Sequence, residues 1–236
     1  MDLIETMRST GAVREFSDEP VADDVVFRIL DTARFAPSGG NAQAWRVVVI
    51  KDQSIRKRLR ELYLPGWRDY LAMSAAGLRP WAPGNDPAAE AAAVAAIPAE
   101  LAASADQGFA GEFDRVPVLL AVFAELPALA AVDRDADRYP IAGGASVYPF
   151  VWSILLAARA EGLGGVMTTM LVRAEREVTQ LLGAPSTWAL ATVVALGRPA
   201  HPRKRLRRRP VRSFTTLDRT DGPEFVGVPP PDRKAD

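Results

Sequence analysis

The residues with the clearest chemical potential stand together in Ala36-Pro37-Ser38-Gly39-Gly40-Asn41-Ala42-Gln43-Ala44-Trp45. Gly39 and Gly40 let a backbone take positive φ and come close to a partner. Ser38, Asn41 and Gln43 add a hydroxyl and two amides, which hold a flat polar or anionic ligand rather than attack it. The same residues also suit a plain helix-to-strand turn. A second candidate lies upstream, where Arg8 and Arg14 bracket the small residues Ser9 to Ala12. A guanidinium fork matches phosphate or a carbonyl edge, although two solvated surface arginines would read the same way. The third is a basic run, with Arg203, Lys204, Arg205, Arg207, Arg208 and Arg209 inside seven residues.

Other chemistries are poorly supplied. There is no cysteine, so disulfides, thiolate metal sites and cysteine nucleophiles are excluded, and a reducing cytoplasm is the expected compartment. His201 is the only histidine and sits between prolines and arginines, a poor centre for a triad or a metal site. No GxGxxG follows a strand and no GxxxxGK[ST] occurs, so neither a dinucleotide fold nor a P-loop is expected. Lys and Arg equal Asp and Glu at 29 each, which argues against nucleic acid as a partner despite the basic run. Neither a membrane-spanning run nor a signal peptide is read from the sequence, so no membrane partner is expected.

The elements that must position these residues follow from periodicity. Leu3 to Ser9 reads as a short amphipathic helix. Asp23 or Asp24 caps a second, with Val25, Val26, Ile29, Leu30 and Ala33 inward, and Pro37 stops it. Val47 to Ile50, Val116 to Phe123 and Trp188 to Leu196 are apolar without alternation, as in strands covered on both faces. Asp52 caps a helix with Ile55, Leu59 and Leu62 inward and Arg56, Lys57, Arg58 and Arg60 on a solvated face. Residues 64–112 change character: Pro80, Pro83, Pro87 and Pro98 divide an alanine-rich segment that carries Trp67, Tyr70 and Trp81. Asp133 to Tyr139 reads as a polar loop, and Ala142 to Glu161 as the longest helix, ended by Gly162. Val166 to Leu171 is an extended run, and Glu175 to Leu182 is a short helix stopped by Gly183.

The loop resembles the A-P-S-x-x-N-x-Q-x-W signature of the FMN-dependent nitroreductase family. Thr10 to Phe16 with Glu19-Pro20-Val21 is similar to that family's R-R-S-x-R-x-F…P-V opening. Gly162-Leu163-Gly164-Gly165 looks like its G-L-G turn, and Leu196-Gly197-Arg198-Pro199 and Pro210-Val211 match its closing elements. The resemblance implies an α+β, nitroreductase-like fold, with a central mixed, mainly antiparallel sheet flanked by helices in an intertwined homodimer. It implies one domain over 1–236, with 64–112 a variable insertion over the active site and 213–236 an extended C-terminal segment.

Each FMN would lie at the subunit interface. The residues so implied are Arg8, Thr10, Gly11, Ala12, Arg14, Pro37, Ser38, Gly39, Asn41, Gln43, Thr168, Thr169, Arg207 and Arg208. Thr10, Gly11 and Ala12 stand where the family has R-R-S, so contacts there fall to backbone N–H groups, with Arg14 kept and Arg8 as a substitute. Arg208, or its neighbour Arg207, is the phosphate ligand implied. The flavin carries the chemistry and no catalytic side chain is called for: NAD(P)H reduces it and a nitroaromatic, quinone or other electron-poor small molecule reoxidises it in ping-pong fashion. Dehalogenation, enone reduction, flavin fragmentation, or flavin binding with little turnover are the alternatives on this scaffold.

Overall fold

The computed structural model describes residues 2–201 and 206–227. Arg203, Lys204 and Arg205 of the basic run, and the last nine residues of the C-terminal segment, therefore lie outside the described residues. The chain divides into two compact units, Met1–Arg203 and Lys204–Asp236.

In chain order the first unit runs α1 (Leu3–Ser9), α2 (Asp23–Ala33), β1 (Trp45–Ile50), α3 (Gln53–Ala75), α4 (Pro87–Ala95), α5 (Ala99–Ser104) and α6 (Gly108–Gly111). It continues with β2 (Val118–Glu125), α7 (Tyr148–Ala160), β3 (Gly164–Thr168), α8 (Glu175–Leu181) and β4 (Trp188–Gly197). The four strands form one sheet in the order β1-β2-β4-β3, and every neighbouring pair is antiparallel. The sheet is mixed only through one isolated parallel bridge, Ala12 to Gly165.

β2 shows why the strands read as apolar throughout. Val118, Leu120 and Val122 face one layer with Ile29 of α2 and Val151 and Ile154 of α7. Leu119, Ala121 and Phe123 face the opposite layer with Leu59 and Tyr63 of α3 and Val178 of α8. Both faces are sealed, so alternation disappears. The register slips between Val122 and Phe123, leaving Ala191 of β4 unpaired as a bulge.

Several expectations are corrected here. Neither Asp23 nor Asp24 caps α2: Ala22 occupies that position without a side-chain bond. Asp23 instead pairs with Lys51 and Asp24 with Arg28, and both carboxylates still favour the first turn through the helix dipole. α3 does not end near Leu64; it runs through Pro65 to Ala75, packed at Gly66 against Met170. The expected long helix from Ala142 splits into a tight turn, Ala142–Ser146, and α7, because Val147 leaves helical geometry and Pro149 restarts the helix in its first turn.

Arg56 is not on a solvated face. Its guanidinium is buried and donates to the carbonyls of Asp114 (2.9 Å), Ile50 (2.9 Å) and Val116. Asp133, assigned to a polar loop, is also buried. It accepts from Ile141 N–H (2.7 Å), Ala142 N–H (3.1 Å) and Arg138 (2.8 Å). Those bonds, led by the one from Ile141, hold its carboxyl below the usual range. Asp52 does cap its helix, accepting from Ser54 N–H (2.8 Å) and Ile55 N–H (3.0 Å).

In the second unit, Ser213 N–H donates to Pro210 O, and Thr216 bridges Glu224 in antiparallel sense.

Candidate functional site

The Ser38 loop is built by short-range bonds that turn its backbone outward. Asn41 N–H donates to Ser38 O (3.0 Å) and Ala42 N–H to Gly39 O (3.1 Å). Gly40, Asn41 and Gln43 take φ of 58°, 53° and 49°. Left-handed geometry at two amide residues in one loop is unusual, and clusters at functional turns. The Ser38 hydroxyl accepts from Gln43 N–H (2.9 Å), so it braces the loop. Gly39 N–H donates to Ser146 Oγ (3.0 Å). The Asn41 and Gln43 side chains stay exposed, with Gln43 Nε2 3.4 Å from Asn41 Oδ1. Trp45 anchors the exit by stacking on Phe150, with centroids 4.6 Å apart and planes 3° from parallel.

A second cluster gathers where the N-terminal segment meets β3. Val13 N–H donates to Gly165 O (2.9 Å), which extends the parallel bridge at Ala12. The segment from Thr10 to Arg14 is thereby pinned beside β3. Thr10 is buried and donates its hydroxyl to Thr6 O (2.7 Å), so its side chain is committed to α1. At the end of β3, Thr168 is held twice: its Oγ1 lies 3.2 Å from Tyr63 Oη, and its carbonyl accepts from Thr192 Oγ1 (2.9 Å). Burial pushes the Tyr63 phenol pKa up, opposed by the Thr168 bond and by the charge of Arg14. Arg14, two residues beyond the bridge at Ala12, is exposed with no ion pair among the described residues.

Thr169 is exposed at the next position. Arg8 is exposed on α1, again without an ion pair among the described residues. Arg14, Thr168 and the Gly11–Ala12 backbone thus come together beside β3, while Pro37, Ser38, Gly39, Asn41 and Gln43 form the separate loop seated on Ser146. Among the described residues the two groups share no hydrogen bond. Arg207 and Arg208 belong to the second unit, where both are exposed and Arg208 Nη1 donates to Arg207 O (2.9 Å).

Tyr63 and Thr192 were not singled out from the sequence; Ser146 was, as the last of the small residues Gly143 to Ser146 that allow close backbone approach to a helix or a ligand, and here it meets the Gly39 backbone. Tyr63 lies one turn beyond Leu59 on the apolar stripe, which marks it as core and gives no sign of a bond to a threonine far along the chain. Tyr63→Phe keeps the ring stacked on Phe113 (4.7 Å) and removes only the hydroxyl. It is expected to cost about 1 kcal/mol in urea unfolding.

No group of three or more metal-ligating side chains occurs among the described residues. No helix among them is long and apolar enough to cross a membrane.

Comparison with known proteins gives a consistent picture. The model of the nitroreductase family matches residues 7–198. A 5,6-dimethylbenzimidazole synthase of Rhodobacter capsulatus is 29% identical over 84% of this chain and 83% of its own length. An NADH dehydrogenase of Thermus thermophilus is 32% identical over 80% and 82%, and an iodotyrosine deiodinase of Thermotoga neapolitana 27% identical over 89% and 95%. Among solved structures, a BluB-like flavoprotein from Clostridium difficile 630 superposes with TM-score 0.66 at 21% identity, over 93% of this chain and 100% of that one. An iodotyrosine deiodinase bound to FMN and 3-iodo-L-tyrosine gives 0.62 at 23% identity, over 89% and 96%. The antiparallel sheet and its flanking helices are the fold these structures share.

Proposed function

The chain belongs to the nitroreductase family, and from that premise we propose that it is an FMN-dependent oxidoreductase driven by NAD(P)H. The observation that carries the reading is the pinning of residues 10–14 to β3, which brings Arg14, without an ion pair among the described residues, beside the hydroxyl-lined end of a strand. The residues suit an electron-rich ring edge. Arg14 has no ion pair among the described residues, Thr169 is exposed, and the Ser38–Gln43 loop contains no carboxylate. Bound FMN would supply reversible hydride transfer, from NAD(P)H to a nitroaromatic, quinone or other electron-poor acceptor.

The protein's own work is then binding and electrostatic tuning. Arg14 donates to the ring edge and favours negative charge there. Asn41 and Thr169 add donors, and Gly11 and Ala12 contribute backbone N–H groups. Arg208, or Arg207, holds the phosphate through charge-assisted bonds; this assignment rests on the resemblance alone. We propose a homodimer with FMN between the subunits. Leu3, Phe27, Phe35 and Ile141 are exposed apolar side chains that such an interface would cover. A monomer in sedimentation at micromolar concentration that still retains FMN would contradict it. Residues 64–112 are proposed as the segment covering the acceptor, and the cytoplasm as the compartment.

The visible spectrum of the purified protein tests the core of the proposal. A flavin band bleached by NAD(P)H and restored by a nitroaromatic or quinone is the expected result. A colourless protein that FMN does not reconstitute would reject it. Arg208→Ala should weaken FMN retention at least tenfold, roughly the worth of one charge-assisted bond. Arg58→Ala is the matched control, because Arg58 pairs only with Glu61 on the exposed face of α3. A second reading is another reductive chemistry on this scaffold, dehalogenation or flavin fragmentation, of which dehalogenation is favoured by the iodotyrosine deiodinases among the relatives. Turnover of a halogenated phenol or of flavin itself, in place of the nitroaromatic, would establish it.

A further inference from the structure

The buried carboxylate of Asp133 is used by nothing in the chemistry proposed above, yet it is among the most fully bonded side chains of the first unit. It lies in the connection between β2 and α7, where 22 residues from Leu126 to Val147 separate Glu125 from Tyr148. A connection of that length needs internal ties to hold one conformation. Asp133 supplies three: Ile141 N–H, Ala142 N–H and the Arg138 guanidinium.

Two of those ties end where the tight turn Ala142–Ser146 begins, on its cap Ile141 and on Ala142 itself. At the other end of the same turn, buried Ser146 accepts from Gly39 N–H at 3.0 Å. The near half of the connection reaches the same place independently. A Cβ added at Gly39 would stand 3.2 Å from Ala130 Cβ and 3.2 Å from Ser146 Oγ, and one at Gly143 would stand 3.0 Å from Leu129 Cδ2. Gly39 is therefore clasped between the two halves of a connection that Asp133 closes.

We infer that Asp133 and Ser146 are positioning residues for the cofactor loop: the Asp133 carboxylate fixes the Ala142–Ser146 turn, and Ser146 fixes the Gly39 backbone. This rests on the reading of Ser38–Gln43 as part of a flavin site, but its physical content concerns the loop and does not require flavin to be present. The tie is a charged acceptor on two backbone donors, the stronger class of hydrogen bond, and the carboxylate itself is 7% exposed. The Ala142–Ser146 turn has no titratable side chain of its own to take that place.

The test is amide hydrogen exchange over residues 36–45 in the flavin-free, full-length protein, followed by FMN titration of the same samples. Ser146→Ala removes only the acceptor for Gly39, and should raise exchange at Gly39 about tenfold while loosening FMN by a similar factor. Asp133→Ala should do the same from a distance. Asp133→Asn, which keeps one acceptor oxygen for the two N–H groups, should recover part of the protection. Val178→Ala is the control for general loss of stability, since Val178 is buried on the opposite face of the sheet.

Unchanged exchange over 36–45 in Asp133→Ala would overturn the inference, as would equal acceleration in Val178→Ala at a matched fall in Tm. Accelerated exchange confined to the Asp133 and Ser146 variants supports it. If wild-type protein took up no FMN, the flavin reading would fail while the exchange data still decided the relay.

Discussion

Arg56→Ala is expected to lower the free energy of unfolding by at least about 3 kcal/mol, among the largest effects available to a single side chain here. The guanidinium is 8% exposed and donates to three carbonyls at once, those of Ile50, Asp114 and Val116. Ile50 closes β1, and Asp114 and Val116 lie just before β2, so one side chain ties the ends of two paired strands. Truncation would leave three buried acceptors unsatisfied, each costing about 1–3 kcal/mol, and open a cavity besides. Asp114, 5% exposed, would lose the positive charge of Arg56 that faces it. Burial lowers the Arg56 pKa, with Asp114 acting in the opposite sense, and an arginine in such a place remains protonated. Urea unfolding should show a much reduced midpoint with an unchanged slope. Arg56→Lys should recover little, because one ammonium cannot match three divergent carbonyls. A midpoint within experimental error of that of Arg58→Ala would show that the carbonyl clamp carries no stability.

The same residue shows where reading the sequence runs out. Arg56, Lys57, Arg58 and Arg60 form a charge run on a helix whose apolar stripe is plain, and a charged neighbour of the stripe is ordinarily solvated. Nothing local announces that carbonyls from two other segments converge on that spot. The features that were legible are those set by period and punctuation. Leu3–Ser9 emerges at its full extent, Asp52 caps α3, and Gly162 and Gly183 end α7 and α8 with φ of 78° and 66°. β2 and β4 follow from unbroken apolar runs. What failed depended on partners distant in sequence. Asp133 looks like one more charge in a polar loop until its two N–H donors are seen eight and nine residues later. Ser146 looks like a small residue in a small-residue run until Gly39 arrives from over a hundred positions upstream.

The candidate site divides along the same line. The bend at Gly39–Asn41 was legible from composition, but its seat on Ser146 was not. The nearness of Arg14 to the end of β3 was implied by resemblance, and the structure supplies its cause in the bond from Val13 to Gly165. Sequence reading finds residues able to hold a ligand; the long-range backbone bonds determine which of them stand together.

That backbone bond makes Gly165→Ala the most consequential change near the proposed site. An added Cβ would lie 2.4 Å from Leu196 Cδ2, 2.5 Å from the Ala195 carbonyl and 3.2 Å from Leu155 Cδ2. A leucine tip rotates away in a loose core, but the Ala195 carbonyl belongs to the paired strand β4 and cannot yield without spreading the ladder. Leu196 of β4 and Leu155 of α7 are packed in the same core layer, which leaves no volume to move into. Overpacking of this kind costs about 3 kcal/mol, the upper part of its usual range. The damage also has a direction. Gly165 O accepts from Val13 N–H and Gly165 bridges Ala12, so displacing β3 moves the segment that carries Arg14. Loss of FMN retention should therefore exceed what the fall in stability alone produces. Leu190→Ala, a truncation buried on the opposite layer of the sheet, provides the comparison at similar cost. If the two variants, matched for Tm, bind FMN equally well, the pinning of residues 10–14 to β3 has no part in holding the cofactor.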